Sequence, residues 1–131
     1  MGVVEARHRL IEDLDRDRDR HVAFLSGFVA VPSPNPPGDT REVAAHAAAF
    51  LEEHGLAVER IAPQPTMPNL VATFEGGAPG RHLVLNGHLD VFPVGADESW
   101  RHPPWSGAVA EGRIWGRGVA DMKAGTAASI L

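Results

Sequence analysis

The sequence contains no cysteine. That excludes disulfides and thiolate metal sites, and leaves histidine and carboxylates as the only strong ligands for a metal ion. It also lacks any run of about 18 apolar residues, the length a membrane-spanning helix requires. Its start has no basic segment leading into an apolar one, the mark of a secretory signal. The cytoplasm is therefore the expected compartment, with no membrane partner. Positive charge is scarce as well. Twelve Lys and Arg stand against 17 Asp and Glu, for a net charge of −5, which argues against nucleic acid, whose phosphates call for a basic face. Beyond Asp121 there is no Asp, Glu or His. The last residues, Ser129-Ile130-Leu131, offer no Gly, Asn or basic turn to close a helix, so the chain reads as an interrupted domain.

What remains describes one soluble, globular unit: 131 residues, 44% hydrophobic and 22% charged, enough for one ordinary core. Leu10, Ile11, Leu14, Val22, Leu25, Phe28 and Val29 recur at helical spacing, predicting a helix over 4–30. The alternating charges of 15–20 interrupt its stripe, read as a solvated, salt-bridged face where the helix has room to break. The segment 32–38 holds four prolines and cannot continue a helix. Asp39, with Glu42 three residues on, resembles a capping box, and a second helix follows over 40–54, with Gly55 as its natural stop.

Then the period shortens. Segments 56–61, 69–74 and 81–86 have strand length and are bounded by Gly and Pro. Leu83-Val84-Leu85 is apolar on both faces, as in a central strand covered on each side. Residues 108–110 and 113–115 flank Glu111-Gly112 as a tight hairpin, and 122–131 reads as the start of a buried helix. The order predicts an α/β fold with a mixed sheet flanked by helices.

The chemistry concentrates in two places. Asn86-Gly87-His88-Leu89-Asp90 follows the most apolar strand. Strand alternation puts His88 and Asp90 on one side, and a metal-bound imidazole needs its second nitrogen held, commonly by a carboxylate. Most His residues near an Asp are nonetheless ordinary hydrogen-bonded groups. The second place runs from Gly116 to Gly125 and includes Asp121 at the head of the last helix, where an Asp is more often a cap than a ligand. Gly116-x-Gly118 lacks the third glycine of a dinucleotide fingerprint, and there is no Walker-type Gly-Lys-Ser/Thr. A nucleotide site is rejected. His8, His21, His46, His54, His82 and His102 show no ligand-like spacing and read as structural or surface groups. Trp100, Trp105 and Trp115 read as packing anchors for the loop and hairpin.

Taken together, Gly87-His88-Leu89-Asp90-Val91, Trp100-x-x-x-Pro104-Trp105, residues 112–118 and Asp121-Met122-Lys123 resemble a family. It is the zinc metallopeptidase and amidohydrolase family of acetylornithine deacetylase, succinyl-diaminopimelate desuccinylase, aminoacylase and glutamate carboxypeptidase. The loop from Pro32-Ser33 to Gly38-Asp39 is also similar. The resemblance covers nearly the whole chain and implies that residues 1–131 are the N-terminal part of a catalytic domain, truncated before the lid or dimerisation domain and the C-terminal half. It implies two zinc ions, with cobalt or manganese as substitutes, His88 as a metal ligand and Asp121 as the carboxylate bridging the pair. Asp90 would be the catalytic aspartate that orients His88, and the Asp121–Met122 peptide would be cis. The substrate would be an N-acyl amino acid or small peptide, and any homodimer would belong to the full-length protein. The family's general base and remaining ligands have no match, because Asp97, Glu98 and Glu111 stand at other positions. A non-catalytic interaction module, or a fragment without independent function, are the alternatives.

Overall fold

In the computed structural model, which describes residues 2–95 and 99–131, the predicted first helix is two. Helix α1 (Val3–Arg16) and helix α2 (Arg18–Ala30) meet at Asp17, whose φ of −96° and ψ of 11° are not helical. Arg16 donates to Asp13 at 2.7 Å and to Asp17 at 3.0 Å, so the break falls inside the alternating charges. Such exposed pairs contribute little stability. What separates the two helices is burial: α2 buries Phe24, Phe28 and Val29, whereas Leu10, Ile11 and Leu14 of α1 stay at least 45% exposed.

Helix α3 (Arg41–Glu53) buries Val43, Ala44, Ala47 and Ala48, of which Val43 and Ala47 pack with Phe24 and Phe28 of α2. Spacing of one, three and four residues makes that stripe, and its alanines let the helices approach closely. Phe24, Phe28, Val43 and Ala47 join Ala127 as the core cluster, with Phe24 stacked on Phe28 at 5.6 Å and tilted against Phe50 at 4.2 Å. The start of α3 lies one residue later than the capping-box reading placed it. Thr40 is the N-cap, and Asp39 instead binds the Arg41 amide at 3.2 Å and its guanidinium. That arginine holds the Asp39 carboxyl down at about 2. At the other end Gly55, with φ +81°, closes the helix as expected. Leu56 N–H reaches Leu51 O at 3.0 Å and Gly55 N–H reaches Glu52 O at 3.0 Å, the paired bonds of a Schellman stop.

Strands β1 (Val58–Ile61) and β2 (Asn69–Ala72) pair antiparallel, with Val58 opposite Ala72. Strands β3 (Ala108–Ala110) and β4 (Arg113–Trp115) form the predicted hairpin. Glu111 and Gly112 have φ of 55° and 70°, the two left-handed residues of a type I′ turn. A parallel bridge joins Pro34 to Val91, and helix α4 (Ala124–Ile130) closes the core. The α/β expectation stands, with strand pairings of both senses.

The expected central strand at 81–86 does not form. Leu83, Val84 and Leu85 are 78%, 75% and 60% exposed, and among the described residues no strand pairs with them. An isolated strand has no backbone partners of its own, so apolar character without a neighbour's ladder leaves it as extended coil. The last helix also begins at Ala124 and not at Met122, because Met122 takes φ −131° and ψ 32°. Among the described residues no helix is long and apolar enough to cross a membrane.

Candidate active site

Residues 88–91 are gripped by the loop that leaves α2. Ser33, fully buried, donates its hydroxyl to Leu89 O at 2.8 Å. Val91 N–H bonds Ser33 O and Asn35 N–H bonds Val91 O, each at 2.9 Å. Val91 is buried against Gly118, whose φ is +75° and whose position leaves no room for a Cβ beside the valine. Both facts require glycine there, and both bring the 116–118 segment tightly onto the chain that carries His88.

From Gly118 the backbone enters a π-type turn over Val119–Lys123, with Lys123 N–H bonded to Gly118 O at 2.9 Å. Asp121 within it is extended (φ −129°, ψ 96°), and the Asp121–Met122 peptide is cis. The turn throws Asp121 outward. Its side chain is 91% exposed, and Oδ1 lies 3.1 Å from His88 Nε2. The other ring nitrogen of His88, Nδ1, lies 2.8 Å from the Asp90 carbonyl oxygen and 3.3 Å from Asp90 Oδ1. Thr126 donates its hydroxyl to His88 O at 3.1 Å, tying α4 to the same point. Burial pushes His88 down, but the Asp90 carbonyl and the two carboxylates outweigh it and raise its pKa.

His88, Asp90 and Asp121 thus meet on one surface. With Nδ1–H directed at Asp90, Nε2 is the nitrogen left to bind a cation, and Asp121 adds a carboxylate oxygen beside it. This nitrogen and oxygen pair is chemically suited to zinc, yet it numbers two where protein zinc sites use three or four. Among the described residues no group of three His, Cys, Asp or Glu could hold a metal. Glu111 is turned away and paired with Arg101. Asp97 and Glu98 lie outside the described residues.

Beneath the site sits Lys123, fully buried. Its ammonium donates to Phe28 O at 2.9 Å and Val31 O at 2.6 Å, and lies 5.5 Å and 5.9 Å from the Phe28 and Trp105 ring centres. Among the described residues no carboxylate pairs with it. Burial lowers it to about 8, while the last carbonyls of α2 favour the cation. The turn bearing Asp121 is thereby tied to the helix end from which the Ser33–Asn35 loop departs. His46 is half-buried against the core, its ring stacked 5.5 Å from Phe24, and burial lowers its pKa. Trp115 donates to Ala110 O at 3.1 Å and packs on His102, while Arg117 lies over Trp100, so these tryptophans do anchor loop and hairpin.

Sequence reasoning missed Asn35, whose Nδ2 donates to Asp90 Oδ2 at 2.9 Å, and Thr126. It noticed Lys123 only as part of a motif. No periodicity signals such contacts. A lysine inside an otherwise small and apolar segment was the one usable clue.

Residues 84–131 match the peptidase family M20/M25/M40. The whole chain is 37% identical over 134 residues to N-formyl-4-amino-5-aminomethyl-2-methylpyrimidine deformylase of Halalkalibacterium halodurans, covering 31% of that protein. Across 62 residues, 47% of the chain, it is 55% identical to succinyl-diaminopimelate desuccinylase of Paracoccus denitrificans, covering 16% of it. The chain therefore spans less than a third of these relatives' length. Its fold is similar to part of human carnosine dipeptidase 1, with a TM-score of 0.76 at 23% identity, over 94% of this chain and 29% of that one.

Proposed function

We propose that this chain belongs to the M20/M25/M40 peptidase superfamily, whose family model it matches over residues 84–131, and that it forms the N-terminal part of the catalytic domain of a zinc-dependent amidohydrolase, a reading its likeness to a deformylase supports. The substrate class is an N-acyl amino acid or related N-acyl amine, of the deacetylase or desuccinylase type. The names of the relatives describe removal of a small acyl group, an N-formyl group in one and a succinyl group in the other. The observation that carries the reading is the 3.1 Å approach of Asp121 Oδ1 to a His88 ring whose Nδ1 is already committed to Asp90.

His88 would hold a metal through Nε2, and Asp121, whose side chain is 91% exposed, would share in holding the ions. Bound zinc would supply Lewis acidity toward the scissile carbonyl and toward a water molecule. Asp90 keeps the ring in the tautomer that leaves Nε2 free and strengthens it as a donor. On this reading the general base, which has to stand within hydrogen-bond reach of the attacking water, would come from residues beyond these 131, since among the described residues no further acid joins the site to make a group of three metal-binding side chains. By itself the chain is therefore expected to have no useful hydrolase activity. The lid and any homodimer contact belong, on this reading, to the complete protein.

The test is made on the complete protein, stripped of metal and titrated with zinc by calorimetry. It is then assayed on N-acetylornithine, N-succinyl-diaminopimelate and dipeptides. Zinc-dependent release of the acyl group, lost in His88→Ala and Asp121→Asn, supports the proposal. Zinc binding no tighter in the wild type than in His88→Ala overturns it. The presence of only two converging donors among the described residues favours one other reading, an interaction module that keeps the fold without a metal, and that second outcome would support it.

A further inference from the structure

We propose that Asn35 is a positioning residue of this site, holding the Asp90 carboxylate against the His88 ring; the inference rests on the metal-site reading above. Asp90 has two carboxylate oxygens and two neighbours. Oδ1 lies 3.3 Å from His88 Nδ1, a longer approach beside the 2.8 Å contact of that nitrogen with the Asp90 carbonyl oxygen, and Oδ2 accepts the Asn35 side-chain amide at 2.9 Å. The aspartate side chain is 34% exposed, so water competes for both oxygens. A donor fixed on Oδ2 selects the one carboxylate orientation in which Oδ1 stays beside the ring.

Asn35 is itself held by backbone. Its N–H bonds Val91 O at 2.9 Å, one residue beyond the aspartate it restrains, and Val91 N–H returns a bond to Ser33 O. Two prolines follow it, and the next residue, Gly38, is bonded through its N–H to Pro34 O at 3.0 Å. A Cβ at Gly38 would crowd the Met67 methyl at 2.9 Å and Asn35 Oδ1 at 3.1 Å, and Gly38 has a φ of +84°, so the turn packs closely on the amide. The chemistry suits the task. An amide donates to a carboxylate without neutralising it, whereas Lys or Arg would drain the charge that makes Asp90 useful to the imidazole, and Asp would repel it. Fifty-five residues of chain separate the two partners, so this link is made only by folding.

The experiment measures zinc affinity of the complete, metal-stripped protein in chelator-buffered zinc, with thermal unfolding as a check on the fold. Asn35→Ala keeps the backbone bonds to Val91 and removes one donor. It should weaken zinc binding about tenfold, as changes behind a metal-bound histidine do, with little change in the unfolding midpoint. Asn35→Asp keeps the shape, places a carboxylate against Asp90, and should weaken binding at least as much; it carries the test if the alanine variant does not fold. The decisive readout is a double-mutant cycle. Once Asp90→Ala has been made, adding Asn35→Ala should cost nothing further, because its target is gone. If Asn35→Ala binds zinc as the wild type does, or if the two penalties multiply, Asn35 only supports the loop and the proposal is overturned while the metal site stands. If the wild type binds zinc no better than His88→Ala, the metal reading fails and this inference falls with it.

Discussion

Two apolar stretches of this chain end in opposite surroundings. Phe24, Phe28 and Val29 on α2 are 6%, 0% and 0% exposed, while Leu83, Val84 and Leu85 are 60% exposed or more. Hydrophobicity does not separate them. The difference lies in where each puts its backbone polar groups. A helix satisfies its N–H and C=O groups internally and needs only a face to pack on, which α3 and α4 supply. A strand depends on neighbours for every bond, and the described residues hold none for 81–86. Burial follows hydrogen bonding as much as side-chain character.

The sharpest way to break this comparison is Phe28→Ala. Phe28 is fully buried, and the change should cost about 3–5 kcal/mol of unfolding free energy, read by urea denaturation. A second test uses the charge placed beneath that ring. Lys123 sits at about 8 against an ordinary 10.5, so between those values the unfolded chain binds more protons and stability should rise with pH. The rise is bounded at about 3 kcal/mol by the size of the shift, and the two carbonyl acceptors reduce it. Urea midpoints at pH 8 and pH 10 should differ in the wild type and coincide in Lys123→Met. Gly55→Ala probes a helix end with nothing within 4 Å of the added methyl. Its φ of +81° predicts a loss of about 1 kcal/mol from backbone strain alone. The smallest effect belongs to the exposed stretch. Val84→Ser should move the stability of this 131-residue chain by no more than about 0.5 kcal/mol. In the complete protein proposed above, where further strands would cover that segment, the same change should cost several times more.

Much of the candidate site was legible because its signals are local. His-x-Asp specifies a shared side of the chain within three residues, and the cis peptide after Asp121 followed from the family resemblance. The supports were not legible. Asn35 meets Asp90 across 55 residues, and Lys123 meets Val31 across 92. Contacts of that span leave no periodic trace, and an asparagine in a proline-rich loop looks like any turn residue.

The same division runs through the fold. Sequence alone determined the helical character of 4–30, helix α3, the Gly55 stop and the tight hairpin at Glu111-Gly112, because each is decided by backbone conformations that neighbouring residues permit or forbid. Only the tertiary structure decided that the first helix breaks at Asp17, that Leu83 to Leu85 lie uncovered, that a lysine is buried beneath the site, and that an asparagine from the α2 loop reaches the aspartate behind His88. Those outcomes depend on which distant surfaces are present to accept a hydrogen bond or exclude water, and a linear pattern does not carry that information.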